Sequence, residues 1–133
     1  MTEPRAFIRV DGTDRAFSPG ETLSGEYRFE SLSPESVKAI EVSILWCTQG
    51  KGDEDMEVHD FRRLSPDDSD WVDFEHPKYF NTTLPSSPLS YDGVILKIRW
   101  YVRVRVILKR GKDIVVETPF TLGDVPTAKS VEL

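Results

Sequence analysis

Residues 91–108 read YDGVILKIRWYVRVRVIL, and this segment decides the fold. Apolar side chains occupy every second position on one face, namely Leu96, Ile98, Trp100, Val102, Val104 and Val106. The opposite face carries Lys97, Arg99, Tyr101, Arg103 and Arg105. A period of two is typical of a half-buried antiparallel strand, and about fifteen such residues at about 3.3 Å each span about 50 Å. The segment therefore predicts one long, bent strand at the centre of a β-sandwich, with a basic stripe (Lys97, Arg99, Arg103 and Arg105) on its open face.

Turn residues recur about every ten residues along the chain, which is the rhythm of an all-β sandwich. Between them we predict short strands at Arg5–Val10, Leu23–Glu30, Val37–Thr48, Met56–Leu64, Trp71–Phe74, Tyr79–Leu84 and Ile114–Leu122. No segment has the periodicity of a helix. The fold class is therefore an all-β, two-sheet antiparallel β-sandwich of immunoglobulin-like type. Its predicted core combines the apolar faces of the three best-patterned strands: Trp100, Val102, Val104, Val42, Ile44, Tyr27 and Phe29.

The length of 133 residues indicates a single domain over 1–133, with a core at about 5–122 and a flexible polar tail at 123–133. No stretch approaches the roughly 20 apolar residues of a membrane span. The first residues carry charge and proline where a signal peptide needs an apolar segment. Cys47 is the single cysteine, so no internal disulfide can form. These features predict a cytoplasmic protein.

The net charge is −6, and the charged residues are unevenly distributed along the chain. Residues 53–75 hold ten acidic side chains against two arginines, whereas residues 91–133 hold eight basic and five acidic side chains. An acidic chain repels nucleic acid at long range, so no nucleic-acid partner is expected. The basic stripe has two interpretations. It is either a solvated face neutralised across strands by Glu26, Glu30 and Glu41, or a binding face for an acidic or phosphorylated peptide, which arginine grips with two parallel hydrogen bonds.

The acidic loops at 53–55 and 67–73 suggest an alternative function. Calcium takes about six to eight oxygen ligands, and the two loops could converge at one end of the sandwich. That arrangement would make the chain a calcium-dependent membrane-binding β-sandwich. No EF-hand spacing is present, so no metal ligand is assigned.

Catalytic signatures are absent from the sequence. His59 and His76 have no cysteine or serine in an activating context, and Cys47 reads as a small buried side chain. Two histidines and one cysteine at unrelated spacings do not form a zinc site. We therefore predict a protein that is not an enzyme, with no catalytic residue and no cofactor.

Four ordered patterns carry a family resemblance: FSPGETLSGEYRFE at 17–30, VKAIEVSILWCTQGKGDED at 37–55, FNTTLPSSPLSYDGVILKIRWYVRVRV at 80–106 and ETPFTL at 117–122. Together they resemble the arrestin-like sandwich, which is shared by arrestins, their endosomal-sorting relatives and the bacterial sporulation-control family. The likeness covers roughly residues 6–122. Its most specific part is Leu84-Pro85 followed by Ser90-Tyr91-Asp92-Gly93 and the long strand. In physical terms, the two prolines at 85 and 88 end strand pairing, and Gly93 suits a bulge or a tight bend.

The resemblance implies a non-enzymatic adaptor or scaffold that binds other proteins. Such proteins usually contain two tandem sandwiches, and this sequence has room for one, so a surface is left without its usual neighbour. The predicted long strand would also overhang its neighbours and leave backbone groups unpaired. We therefore expect the chain to form a homodimer or to add a partner's extended segment along an open strand edge.

Overall fold

The computed structural model describes residues 3–12, 14–50, 52, 54–68, 71 and 74–123. Eight strands follow in order: β1 Arg5–Val10, β2 Thr22–Glu30, β3 Val37–Gln49, β4 Glu54–Leu64, β5 Lys78–Thr83, β6 Tyr91–Asp92, β7 Lys97–Leu108 and β8 Ile114–Phe120. One short 3₁₀ helix, Pro34–Ser36, precedes β3. The predicted tail lies, from residue 124 onward, outside the described residues.

Two antiparallel sheets form the sandwich and confirm the predicted fold class. The small sheet has the order β1-β2-β5. The large sheet runs β4-β3-β7, and both β6 and β8 pair with the remaining side of β7. Phe17 and Leu122 form an isolated bridge, with the Phe17 N–H donating to the Thr121 carbonyl at 2.8 Å.

The core lies between the sheets where it was predicted. Trp100, Val102 and Val104 are fully buried and belong to one cluster with Val42, Ile44, Tyr27 and Phe29. The Trp100 indole also donates from Nε1 to the Pro88 carbonyl at 2.9 Å, so its polar atom is satisfied. The alternation along β7 therefore sets which face is buried.

The prediction of one long central strand was wrong at the N-terminal end of the segment. Tyr91 and Asp92 form the separate strand β6, which turns back at Gly93 and pairs antiparallel with Ile98 and Lys97. The Gly93 N–H donates to the Leu96 carbonyl at 3.0 Å. A Cβ at Gly93 would lie 2.4 Å from the Tyr91 ring, so only glycine fits this tight bend.

The prediction that this strand overhangs its neighbours is wrong for the same reason. Once the hairpin has reversed the chain, β7 is twelve residues long and pairs with β3 from Lys97 to Leu108. The predicted strand at Trp71–Phe74 is also absent where it can be examined: Trp71 and Phe74 lie outside any strand and pack into the core, and Val72 and Asp73 lie outside the described residues. The remaining strands agree with prediction to within two residues at either end.

The segments that carry the arrestin-like resemblance bond to one another. The Gly20 N–H donates to the Leu84 carbonyl at 3.0 Å, and the Leu84 N–H donates to the Glu21 carbonyl at 2.9 Å. The Glu21 carboxylate accepts the Ser18 N–H at 2.9 Å and an ion pair from Arg15. The hydrogen bond from Arg15 is the main cause that lowers the pKa of Glu21 to about 2. These motif residues therefore stabilise the junction between two turns.

Candidate functional site

The outer face of the large sheet, which points away from the small sheet, holds the predicted basic stripe. Arg99, Arg103 and Arg105 alternate along β7 with side chains of the buried core, and Lys97 begins the strand. The structure thus places all four side chains of the stripe along one strand.

Three members of the stripe are neutralised by acidic neighbours. Arg103 Nε donates to Glu117 Oε2 at 2.6 Å, directly across the β7–β8 ladder. Arg105 Nε donates to Asp113 Oδ2 at 2.9 Å. Lys97 Nζ lies 3.6 Å from Asp92 Oδ1 across the β6–β7 pair. Exposed pairs of this kind contribute at most about 1 kcal/mol each, so they disperse charge more than they stabilise the fold.

The acidic partners differ from those expected. Glu26 and Glu30 lie on β2 in the small sheet, where they pair with Arg9 and Arg28. Glu41 does stand opposite Arg105, but its carboxylate accepts Arg63 Nη1 of β4 at 2.6 Å. Asp92 was missed because the β6–β7 hairpin was not predicted, and Asp113 and Glu117 were missed because the register of the predicted returning strand on β7 was not known.

Arg99 differs from the other three side chains. Within the part of the chain that the structure describes, its guanidinium has no acidic partner. It lines a cavity of about 420 Å³ together with Tyr91, Asp92, Pro119 and Thr121. The cavity opens where the β6 ladder ends at residue 98 and the β8 ladder begins at residue 100. The Arg99 guanidinium therefore lies beside this cavity, in the gap between the two ladders.

Exposed apolar side chains lie beside the stripe, on β4. Met56, Val58 and Phe61 are each about half exposed, at 49%, 48% and 50%. Their register places them next to Cys47, Leu45 and Ser43 of β3, all of which are buried. Arg103 Nη1 approaches Met56 Sδ at 3.3 Å. The outer face therefore combines an apolar edge with cationic side chains, and the apolar part was not predicted from the sequence.

A β-bulge in β4 explains that omission. Val58 pairs with Leu45 and Asp60 pairs with Ile44, so His59 is the additional residue and the alternation of faces changes there. The His59 ring lies on the inner side, with its centroid 6.0 Å from that of Trp100 and its Nε2 2.9 Å from the Thr83 carbonyl. Arg62 Nη2 donates to the Asn81 carbonyl at 3.1 Å. Two side chains of β4 therefore bond to the backbone of β5.

The described acidic residues of the two loops do not converge. Glu54 and Asp55 begin β4, whereas Asp67 and Asp68 follow its last residue, so these acidic residues lie at opposite ends of an eleven-residue strand that is roughly 35 Å long. Among the described residues no three acidic, histidine or cysteine side chains form a metal-binding group. Asp53, Ser69, Asp70 and Asp73 lie outside the described residues. The expected convergence was therefore wrong for Glu54, Asp55, Asp67 and Asp68.

The groups considered for catalysis lie apart. Cys47 is buried on the outer side of β3, next to Met56, whereas His59 lies on the inner side of β4. Burial is the main cause that raises the pKa of the Cys47 thiol, which keeps it protonated at neutral pH. These two residues therefore form no nucleophile–base pair.

The β6–β7 hairpin tip is the most exposed apolar segment described. Val94 and Ile95 are 87% and 80% exposed. A Cβ at Gly50 would lie 3.8 Å from the Ile95 carbonyl oxygen, so the tip adjoins the β3–β4 loop. In the described residues, no helix is long and apolar enough to cross a membrane.

Comparison with known proteins supports the architecture. No family model matches the chain, and no curated protein matches it. Spo0M, the sporulation control protein from Bacillus subtilis, superposes with a TM-score of 0.65 over 93% of this chain at 14% identity. The fold is an arrestin-like β-sandwich. This chain spans 51% of the length of Spo0M.

A second similar structure is a β-glucosidase from Listeria innocua in complex with gluconolactone. It matches 92% of this chain and 16% of its own length at 17% identity, with a TM-score of 0.39. That similarity is too low to carry an argument. At 14% identity the likeness to Spo0M shows the fold alone.

Proposed function

We propose that this chain is a cytoplasmic, non-enzymatic adaptor domain that binds an acidic or phosphorylated segment of another protein on the outer face of its large sheet. The observation that carries the proposal is Arg99, a guanidinium beside a cavity of about 420 Å³ and without an acidic partner in the described residues. Arginine binds carboxylate and phosphate with two parallel hydrogen bonds. The arrestin-like fold is compatible with protein partners.

The neighbouring side chains support a peptide ligand. Lys97, Arg103 and Arg105 lie on the same strand as Arg99, each paired with an acid, so among the described residues the uncompensated positive charge of the basic stripe is that of Arg99. Met56 and Val58 supply exposed apolar area on the same sheet. A peptide lying across this face would place a phosphate or carboxylate at Arg99 and apolar side chains over β4.

Fluorescence anisotropy with a panel of acidic and phosphoserine peptides tests the proposal. We expect binding that weakens with salt, because charges beyond about 10 Å are screened at 0.1 M ionic strength. Arg99→Glu should reduce the affinity at least about tenfold, since hydrogen bonds to charged groups contribute about 1.5–3 kcal/mol. Lys112→Glu, an equal charge change in an exposed loop, is the matched control. Equal affinities for Arg99→Glu and the control would refute the role of Arg99.

A second candidate function is membrane-surface binding through the exposed Val94–Ile95 tip. The acidic residues Glu54 and Asp55 follow the adjoining β3–β4 loop, so a calcium requirement would involve this loop alone. Sedimentation with phosphatidylserine vesicles, with and without calcium, tests it. Val94→Ser/Ile95→Ser should abolish any binding, and wild-type protein that stays in the supernatant in both conditions rules the function out.

A further inference from the structure

Among the described residues, strand β4 is paired on one side, and its other backbone edge is open along all eleven residues. It is the first strand of the large sheet and pairs with β3 only. In the described part of the chain, the backbone of β4 bonds to no other element. The edge of β5 differs, since His59 and Arg62 already bond to its carbonyls. An open edge of this length is a template for another strand.

The bulge gives β4 a palindromic pattern of faces. The outer face of the large sheet carries Glu54, Met56, Val58, Phe61 and Arg63, whereas the inner side carries Asp55, Glu57, His59, Asp60 and Leu64 together with Arg62. Reading outward in either direction from the point between His59 and Asp60, the faces follow the same order: inner, outer, inner, outer and inner. An antiparallel partner with an identical sequence can therefore pair in a register centred there, and every side chain keeps its own face. A shift of one residue would place outer side chains against inner ones.

Charge in β4 is also self-complementary. The first seven residues hold Glu54, Asp55, Glu57 and Asp60, and the last three hold Arg62 and Arg63. In the symmetric register Glu57 faces Arg62, Val58 faces Phe61 and His59 faces Asp60, each pair occurring twice. Arg62 uses one donor on the Asn81 carbonyl, and a guanidinium has five. A parallel arrangement would instead place like charges together.

We propose that β4 pairs with the β4 strand of a second copy of this chain, antiparallel and centred between His59 and Asp60, which joins two five-stranded sheets into one. The inference goes beyond the proposed function, because it names a second copy of this chain as a partner and the strand edge that joins the two copies. The bulge and the inward charges exclude most other strands, because a partner must reproduce both features. The apolar side chains Val58 and Phe61 lose part of their exposure at the centre of the interface.

Sedimentation equilibrium of the purified chain, without any peptide, tests the dimer. Wild-type protein should dimerise between micromolar and millimolar concentration, more weakly at high salt. Glu57→Arg and Arg62→Glu should each raise the dissociation constant at least about tenfold, because each places like charges opposite each other twice. The double variant restores an opposite-charge pair with the two charges exchanged, so its dissociation constant should return to within about threefold of the wild-type value. A tenfold change corresponds to about 1.4 kcal/mol. Glu3→Arg on the N-terminal segment is the matched control and should dimerise normally.

Disulfide trapping tests the register independently of any loss of folding. Val58→Cys protein mixed with Phe61→Cys protein should cross-link under mild oxidation, because facing residues in antiparallel strands have Cα atoms about 4.5–5.5 Å apart. Val58→Cys mixed with Arg63→Cys should not cross-link, and the natural Cys47 is buried.

A strict monomer at every concentration, no rescue in the double variant, or equal cross-linking in both mixtures would each overturn the proposal. Arg99 lies outside this interface, so failure here leaves peptide binding by the Arg99 variants as a separate result.

Discussion

The two strands that flank β3 have opposite characters. β7 alternates regularly, is paired on both sides and buries every second side chain. β4 is charged, contains a bulge and is exposed along most of its length. The comparison concerns two neighbours of one strand: β7, which is paired on both sides, keeps its alternation, whereas the edge strand β4 changes face within its length. The bulge of β4 therefore lies on an edge strand, outside the regular alternation of β7.

The largest expected effect is in β7. Trp100→Ala removes a fully buried side chain that packs against Trp46, His59 and Phe120. Such truncations cost about 3–5 kcal/mol, a large part of the stability of a small domain. Urea denaturation measures the change. A midpoint close to that of wild type would mean that β7 is not the strand that holds the core.

A smaller effect is expected where the chain enters β6. Ser90 Oγ accepts the buried Leu122 N–H at 2.8 Å. Ser90→Ala leaves that donor unsatisfied and should cost about 1–3 kcal/mol. Ser86→Ala, at an exposed position in the same loop, is the control and should change the unfolding free energy by less than about 0.5 kcal/mol. Equal losses for the two variants would contradict the importance of this hydrogen bond.

The junction between the two resemblance motifs predicts a dependence of stability on pH. The pKa of Glu21 is lowered in the folded state to about 2, first by the hydrogen bond from Arg15. Because the unfolded chain binds this proton more readily, Glu21 contributes stability above its ordinary pKa of 4.5, and the contribution is lost as pH falls from 4.5 to about 2. Thermal unfolding across this range should show a shallower acid slope for Glu21→Gln than for wild type. Identical slopes would show that Arg15 and Glu21 do not interact in solution.

The smallest effect on stability is expected in β4, where association should respond instead. Phe61→Ser changes a half-exposed side chain at the edge and should alter the unfolding free energy of the monomer by no more than about 0.5 kcal/mol. The same substitution should weaken self-association, because Phe61 faces Val58 of the second copy. Dilute-solution denaturation and sedimentation, measured on one preparation, separate the two outcomes. A large loss of monomer stability would place Phe61 in the core and remove the contrast with β7.

Particular residues show how far sequence reasoning reached. The apolar alternation of β7 predicted the buried face correctly at Trp100, Val102 and Val104, because burial acts on each side chain through its position in the strand. The basic stripe was placed correctly along β7, but its acidic partners were not. Asp92 and Glu117 depend on how two hairpins close, and that geometry is set by contacts such as those of Gly93.

The sequence by itself determined the fold class, the strand spacing and the inner face of the central strand, since all three follow from the period of two and from turn residues. The tertiary structure decided that residues 91–108 form a hairpin and a strand, that the described acidic residues of the two loops lie at opposite ends of β4, and that Arg99 is the stripe residue without an acidic partner in the described residues. It also decided that the bulge makes the faces of β4 symmetric. The physical reason is that local periodicity records which side chains are buried, whereas pairing, register and ion pairs depend on residues distant in the chain that only the closed sandwich brings together.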